Sequence, residues 1–217
     1  MAAAAAAVLV ASYLLGAIPF GLLVGRARGV DPRQAGSGNI GATNVARTAG
    51  FGWGLLTFAL DFAKGAVAPI GAALGAPGLA WLPAAAGLAA LLGHVFPVYL
   101  GFKGGKGVAT AAGVFAALAP LPLVIALAGF GAVAGLTRVV ALGSMASALA
   151  LVIACFATGT PWAARGLAIA AAALIFARHA SNIRRLVERR GQAAANAPPD
   201  ASPGASAGEA PDREAPS

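Results

Sequence analysis

The sequence predicts an all-α, polytopic membrane protein with seven transmembrane helices, its N-terminus outside and its C-terminus in the cytoplasm. Three observations predict it. Of the 217 residues, 59% are hydrophobic and only 10% charged, whereas soluble domains carry about 25% charged residues. The apolar runs reach the roughly 20 residues that a helix needs to cross the hydrocarbon. The net charge of +8 is concentrated between particular runs. That pattern belongs to cytoplasmic loops facing anionic lipid and not to nucleic-acid contact.

Ala4–Val24 is the first predicted span, and it ends at Arg26 and Arg28. The opening MAAAAAAVLV has no positive n-region, so it reads as the start of this span and not as a signal peptide. A polar, glycine-rich loop follows from Gly29 to Ala49. Phe51–Leu74 is the second span, interrupted by Asp61 and Lys64, which lie three apart on one helix face. Charges inside a bilayer are costly unless paired, so these two are expected to neutralise each other and pin helix packing. Leu79–Leu100 is the third span. Val108–Leu136 is apolar throughout, but Pro120 and Pro122 divide it into two short spans. Parity supports the division. With two spans, Arg26, Arg28, Arg33, Arg47, Lys103, Lys106, Arg138, Arg178, Arg184, Arg185, Arg189 and Arg190 share one side and only Arg165 faces the other, as the positive-inside rule requires. Val139–Thr158 and a short Trp162–Ala177 complete the seven. A membrane domain over 1–190 is expected, followed by a disordered cytoplasmic tail over 191–217, rich in Ala, Pro, Ser and Gly. Cys155 is the only cysteine and falls mid-span, so it is expected simply to pack.

Four polar patches then share the cytoplasmic side. Gly101–Thr110 reads GFKGGKGVAT, with four glycines and two lysines in apolar surroundings. Glycine permits tight turns and close approach of backbone to a ligand. Successive N–H groups followed by a helix N-terminus make an anion cradle. The spacing is not that of a nucleotide P-loop, since Gly107 stands where a Ser or Thr is needed. The first loop, Ser37–Thr48, reads SGNIGATNVART and offers hydroxyls, amides, glycines and Arg47, the inventory of a phosphate site. Ser144 follows Arg138 at the start of the sixth span; a helical Ser commonly bonds back to its own backbone. RHASNIRRL, from Arg178 to Leu186, places His179 and Asn182 on one helix face, and His is the natural proton carrier near neutral pH. His94 is expected to be structural. Two His and a single Cys give no metal-ligand set, so neither metal nor other cofactor is expected. A Ser-His-Asp triad has no evident acid, because the patches carry only Asp31 and Glu188. The His-x4-Asp acyltransferase box is absent, with Tyr99 and Arg184 at the required positions.

Taken together, YLLGAIPFG (Tyr13–Gly21), SGNIGATNVAR (Ser37–Arg47), DFAKG (Asp61–Gly65), HVFPVYLGFKGGKGVAT (His94–Thr110) and RHASNIRRL resemble the bacterial acyl-phosphate:glycerol-3-phosphate acyltransferases. The resemblance runs over about residues 8 to 190, in order and at matching spacing, and such a joint match is more specific than any single motif. Ala17 stands where a serine would be expected. The resemblance implies seven spans in the bacterial plasma membrane. It also implies transfer of a fatty acyl group from acyl phosphate to glycerol 3-phosphate, giving lysophosphatidic acid. Carried over by position, Ser37, Arg47, Lys106 and Ser144 would hold glycerol 3-phosphate. Thr43, Asn44, Gly104, Gly105 and Gly107 would hold the acyl phosphate, and His179, Asn182 and Lys106 would serve the reaction. Acyl phosphate is already activated, so no protein nucleophile is called for; the protein positions two anions and stabilises an oxyanion. Membrane lipid is the remaining partner, nucleic acid is not one, and the chain is expected to act as a monomer. A transporter would need polar residues or broken helices at mid-membrane on several spans, and only Asp61 and Lys64 qualify. A mere lipid anchor would leave the glycine-rich loops without a purpose.

Overall fold

The computed structural model describes residues 1–195, all of them in helices, turns or irregular segments, with no strand among the described residues. The chain forms α1 (Ala2–Ala17), α2 (Phe20–Ala27), α3 (Ala42–Ala49), α4 (Phe51–Gly75), α5 (Leu82–Val95), a 3₁₀ turn (Val98–Leu100), α6 (Val108–Leu118), α7 (Pro120–Thr137), α8 (Val140–Ala157) and α9 (Trp162–Ala195). Among the described residues, six stretches are long and apolar enough to cross a membrane: Ala2–Ala27, Phe51–Gly75, Leu82–Leu100, Pro120–Thr137, Val140–Ala157 and Trp162–Arg184. The seventh expected crossing falls on α6, which is apolar but only 11 residues long.

Prolines set most of the boundaries. Pro120 opens α7 immediately after Ala119 closes α6, the division expected from its ring and its missing N–H. The same chemistry breaks the first span, which the sequence reading took as continuous. α1 stops at Ala17, and α2 restarts after Ile18 and Pro19. α5 ends at Val95, two residues before Pro97, so the third span is helical over less of its length than expected. The opposite correction applies to α9. Its apolar character fades near Ala177, but the helix continues to Ala195, because Ser, Asn, Ile, Arg and Leu sustain a helix whether or not they are apolar. Of the tail expected from 191, the first five residues are therefore helical; 196–217 lie outside the described residues.

The fold separates at Ala180 into a body, Met1–Ala180, and a second unit beginning at Ser181. In the second unit, Arg184 donates from Nε to Glu188 Oε1 at 3.0 Å, one helical turn on. The core of the body lies between α5, α6, α7, α8 and α9, around Leu91, Val114, Phe115, Leu123, Leu151, Cys155 and Leu167. Cys155 packs there, buried. A smaller cluster of Ala5, Ala72, Leu82 and Ala86 joins α1, α4 and α5. Helices touch backbone to backbone where side chains are smallest, as is usual in membranes. A Cβ on Gly113 of α6 would lie 1.9 Å from the Phe62 carbonyl oxygen of α4, and one on Gly16 of α1 would lie 2.0 Å from that of Ala90 in α5.

Candidate active site

The first polar loop is tied by one side chain. Asn44, on the first turn of α3, shares its two Nδ2 protons among the carbonyls of Pro32 at 2.9 Å, Ala35 at 3.0 Å and Asn39 at 2.8 Å. Its Oδ1 accepts the Ser37 N–H at 2.8 Å. Asn39 Oδ1 accepts the Gly41 N–H at 2.8 Å and so shapes the entry to α3. Gly36, at φ +62°, must be glycine, because a Cβ there would meet Asn44 Oδ1 at 2.3 Å. Asn44 is buried, Ser37 half-buried, and Thr43 and Arg47 are exposed. Asn44 therefore acts through the loop it ties. At the loop's outer edge, Asp31 accepts from Arg33 Nη2 at 2.6 Å and lies 3.5 Å from Arg26. The hydrogen bond from Arg33 holds its carboxyl well below the usual carboxylate range.

The glycine-rich cradle is tied by its backbone. Where α5 unwinds, Val95 and His94 present carbonyls that accept the N–H groups of Gly104 at 3.2 Å and Gly105 at 3.1 Å. Those two N–H groups, expected to lie open to an anion, are thus engaged with the end of α5. Both glycines are there for closeness: a Cβ on Gly104 would lie 2.1 Å from the His94 carbonyl oxygen, and one on Gly105 would lie 2.1 Å from His94 Nε2. The open donors fall further along. Gly107 is the N-cap of α6, in the left-handed region at φ +83°, and provides no side-chain cap. The first intrahelical bond is Ala111 N–H to Gly107 carbonyl at 2.8 Å, so Val108, Ala109 and Thr110 begin the helix with N–H groups that have no intrahelical acceptor. Their dipoles and the half-buried Lys106 make the start of α6 attractive to an anion.

α9 joins the cradle through a residue that the sequence reading assigned only to charge topology. Arg178 donates from Nη2 to the Gly104 carbonyl at 2.9 Å and from Nε to that of Gly105 at 3.3 Å. Next to it, His179 is 2% exposed, with Nδ1 2.8 Å from the Ile175 carbonyl. A carbonyl only accepts, so Nδ1 carries the proton and Nε2 keeps its lone pair. Lys106 is within electrostatic reach of this ring. Ser144 is buried on α8 and donates to the Val140 carbonyl at 2.9 Å, the back-bonding expected of a helical Ser. Asn182 belongs to the second unit.

The chain matches, over residues 6–189, the sequence family described as glycerol-3-phosphate acyltransferase. A glycerol-3-phosphate acyltransferase of Anaeromyxobacter dehalogenans (strain 2CP-C) is 53% identical over 193 residues, covering 83% of this chain and 93% of the relative. One from Aquifex aeolicus (strain VF5) is 44% identical over 183 residues, covering 82% and 93%. The chain belongs to the glycerol-3-phosphate acyltransferase family. Its fold matches the crystal structure of PlsY (YgiH), an integral membrane glycerol 3-phosphate acyltransferase, in its glycerol 3-phosphate form. The TM-score is 0.82 at 40% identity, over 86% of this chain and 93% of that one. The lysophosphatidic acid form of the same protein gives 0.80 at 40% identity, with the same coverage.

Within this membrane-integral acyltransferase, the framework of the site includes three groups that sequence alone favours as topological or packing residues. Arg178 was hidden among arginines that satisfy the positive-inside rule. His94 was set aside as structural, yet its ring and carbonyl both lie against Gly105. The Asp61–Lys64 pair, at 2.8 Å and 3% and 2% exposed, is the neutralised pair expected, but it also reaches beyond its own helix. Lys64 donates to the Ile18 carbonyl at 2.8 Å, and Asp61 Oδ1 lies 3.5 Å from His94 Nδ1. The usable signal was the coincidence of DFAKG and HVFP in one apolar chain, where every polar residue needs a partner.

Proposed function

We infer that the chain transfers a fatty acyl group from acyl phosphate to the 1-hydroxyl of glycerol 3-phosphate. The hydroxyl oxygen bonds to the acyl carbon, the acyl–phosphate C–O bond breaks, and inorganic phosphate departs with its electron pair. Lysophosphatidic acid is the product, and no acyl-enzyme forms. The observation that carries this reading is the Arg178 latch, which holds His179 beside the cradle and the uncapped start of α6. The relatives' family and the two ligand forms of the solved neighbour support the acceptor and the product.

Glycerol 3-phosphate is held by Ser37, Arg47, Lys106 and Ser144. The acyl phosphate lies against the start of α6, with Gly107 as its N-cap, Gly104 and Gly105 as the rigid approach, and Thr43 from the first loop, which Asn44 shapes from behind. His179 lines the reacting centre. Two bases are available for the hydroxyl proton: the Nε2 lone pair of His179, and the phosphate of the substrate, whose second pKa is near 6. Oxyanion donors aimed at the acyl carbonyl are worth about a hundredfold or more in rate. The protein works as a monomer in the bacterial inner membrane, crossing seven times with its N-terminus outside and the site in the cytoplasm. α6 is about 16 Å long at 1.5 Å per residue, too short to span hydrocarbon by itself. It crosses within the protein, since Thr110–Phe115 are buried by neighbouring helices. Residues 1–190 form the catalytic membrane domain.

The test is acyl transfer by purified protein to radiolabelled glycerol 3-phosphate, with palmitoyl phosphate and palmitoyl-CoA compared as donors. Product from palmitoyl phosphate alone is expected; product from the thioester alone overturns the donor assignment. His179→Ala separates the bases. A loss of about a hundredfold or more makes His179 the base, and near-normal turnover assigns the proton to the substrate phosphate.

A further inference from the structure

We propose that Asp61, Lys64 and His94 form a buried polar hub that fixes the two phosphate loops relative to each other. The proposal rests on the reading of those loops as the binding sites of the two substrates.

One oxygen is the centre. Asp61 Oδ1 on α4 lies 2.8 Å from Lys64 Nζ and 3.5 Å from His94 Nδ1, and all three side chains are buried. From Lys64 the chain of contacts leads to the first loop. Its ammonium donates to the Ile18 carbonyl at 2.8 Å, at the break that Pro19 makes between α1 and α2. A carbonyl at a helix end needs such an outside donor. The same ammonium lies 5.6 Å from the centre of the Phe20 ring, at the first residue of α2. α2 then presses on the loop: a Cβ on Gly21 would lie 1.7 Å from the Ile40 carbonyl oxygen. From His94 the contacts lead to the cradle. Its carbonyl accepts the Gly105 N–H at 3.1 Å, and its ring leaves no room for a side chain at Gly105.

Packing alone does not explain these residues. A buried ion pair is often no more stabilising than apolar side chains of the same volume, and in a bilayer its desolvation is dearer still. What apolar packing lacks is direction. The Lys64–Asp61 ion pair, the Lys64 hydrogen bond to Ile18 and the approach of the His94 ring to Asp61 Oδ1 hold the start of α2 and the end of α5 in register with one point on α4, which a sliding apolar interface would not. Each loop must hold its donors converged on one phosphate, and a loop free to slide against α4 loses affinity in restoring that convergence on binding, a cost read in KM. None of the three touches the reacting atoms in this reading. They are positioning residues.

The experiment uses full-length purified protein and two variants. Asp61→Asn with Lys64→Met removes both charges together, so no lone charge is left buried. His94→Leu keeps bulk under the cradle and removes the link to Asp61. With the double variant, KM is expected to rise about tenfold or more for both substrates, with a smaller change in kcat and an unchanged thermal midpoint. With His94→Leu, the rise in KM is expected to be larger for palmitoyl phosphate than for glycerol 3-phosphate, which draws on Lys106 of the cradle but is also held by Ser37 and Arg47. Wild-type KM values in either folded variant overturn the hub, as does a His94→Leu effect of equal size on both substrates. If the double variant does not fold, the His94→Leu split decides. The donor is checked first on the unaltered protein. Failure there sinks the donor assignment alone, because the hub is still read from the affinity of the double variant for glycerol 3-phosphate, measured by calorimetry.

Discussion

The two glycine-rich loops look alike in sequence and are built in opposite ways. The first, around Ser37, is knotted from within. One amide, Asn44, gathers four backbone groups between Pro32 and Asn39. The cradle around Gly105 has no such knot. It leans on the unwound end of α5 and is closed from 73 and 74 residues away by Arg178. A loop tied by its own side chain can be altered locally and still keep its shape. A loop tied by its surroundings reports on every helix that touches it. Polar glycine-rich composition therefore marks a site without saying whether the glycines donate to the ligand or to the protein.

The largest expected effect is on the cradle's own backbone. Gly104→Ala would place a Cβ 2.1 Å from the His94 carbonyl oxygen, 2.4 Å from Pro97 Cδ and 2.7 Å from the Val95 carbonyl oxygen. None of these is the tip of a flexible side chain. The cradle must shift, and kcat/KM for palmitoyl phosphate is expected to fall by about a hundredfold or more. Steady-state kinetics on the purified variant check it. Normal turnover would mean that the cradle is as self-contained as the first loop, and the contrast would be lost.

The second effect tests the remote tie. Arg178→Ala leaves two buried carbonyls without their charged donor, a loss of about 1.5–3 kcal/mol per hydrogen bond, or roughly tenfold or more in affinity at 1.4 kcal/mol per decade. KM for palmitoyl phosphate is expected to rise by about that factor. Arg178→Lys is expected to recover only part of it, because an ammonium lacks the planar fork that spans the Gly104 and Gly105 carbonyls.

How much of this was legible in the sequence follows the same division. Asp61 and Lys64 announce themselves, because charges three apart in an apolar helix have few other partners. The division at Ala119 follows from Pro120. The break at Ile18 carries the same proline signal, but the apolar run continues through it and hydropathy reads one span. α9 outlasts its apolar stretch because hydropathy measures solvent preference and not helix propensity. That Gly104 and Gly105 spend their N–H groups on α5 could not be read locally, since it depends on where α5 unwinds. Arg178 was invisible for a different reason: the positive-inside rule already accounted for it.

A third effect falls on the first loop. Asn44→Ala releases the Ser37 N–H and three carbonyls, but water can reach this loop and satisfy some of them. KM for glycerol 3-phosphate is expected to rise by about tenfold, with less change for palmitoyl phosphate. A larger change for palmitoyl phosphate would give Asn44 a direct place at the acyl phosphate.

The smallest effect belongs to the rim of that loop. Asp31 is held by Arg33, whose hydrogen bond lowers its pKa below the usual range. A depressed carboxylate pKa contributes stability that is present above the unfolded value, near 3.9, and is lost as pH falls through the folded value. Between pH 8 and 5 the clasp therefore stays ionised in both folded and unfolded chains and adds no pH dependence. Exposed pairs of this kind contribute little, and the Asn44 knot stands without it. The thermal midpoints of wild type and Asp31→Asn should differ slightly, by a constant amount from pH 8 to 5, and converge only in strong acid. A difference that grows between pH 7 and 5 would mean that a group titrating near neutrality acts on this rim, and the first loop would no longer be tied by Asn44 alone.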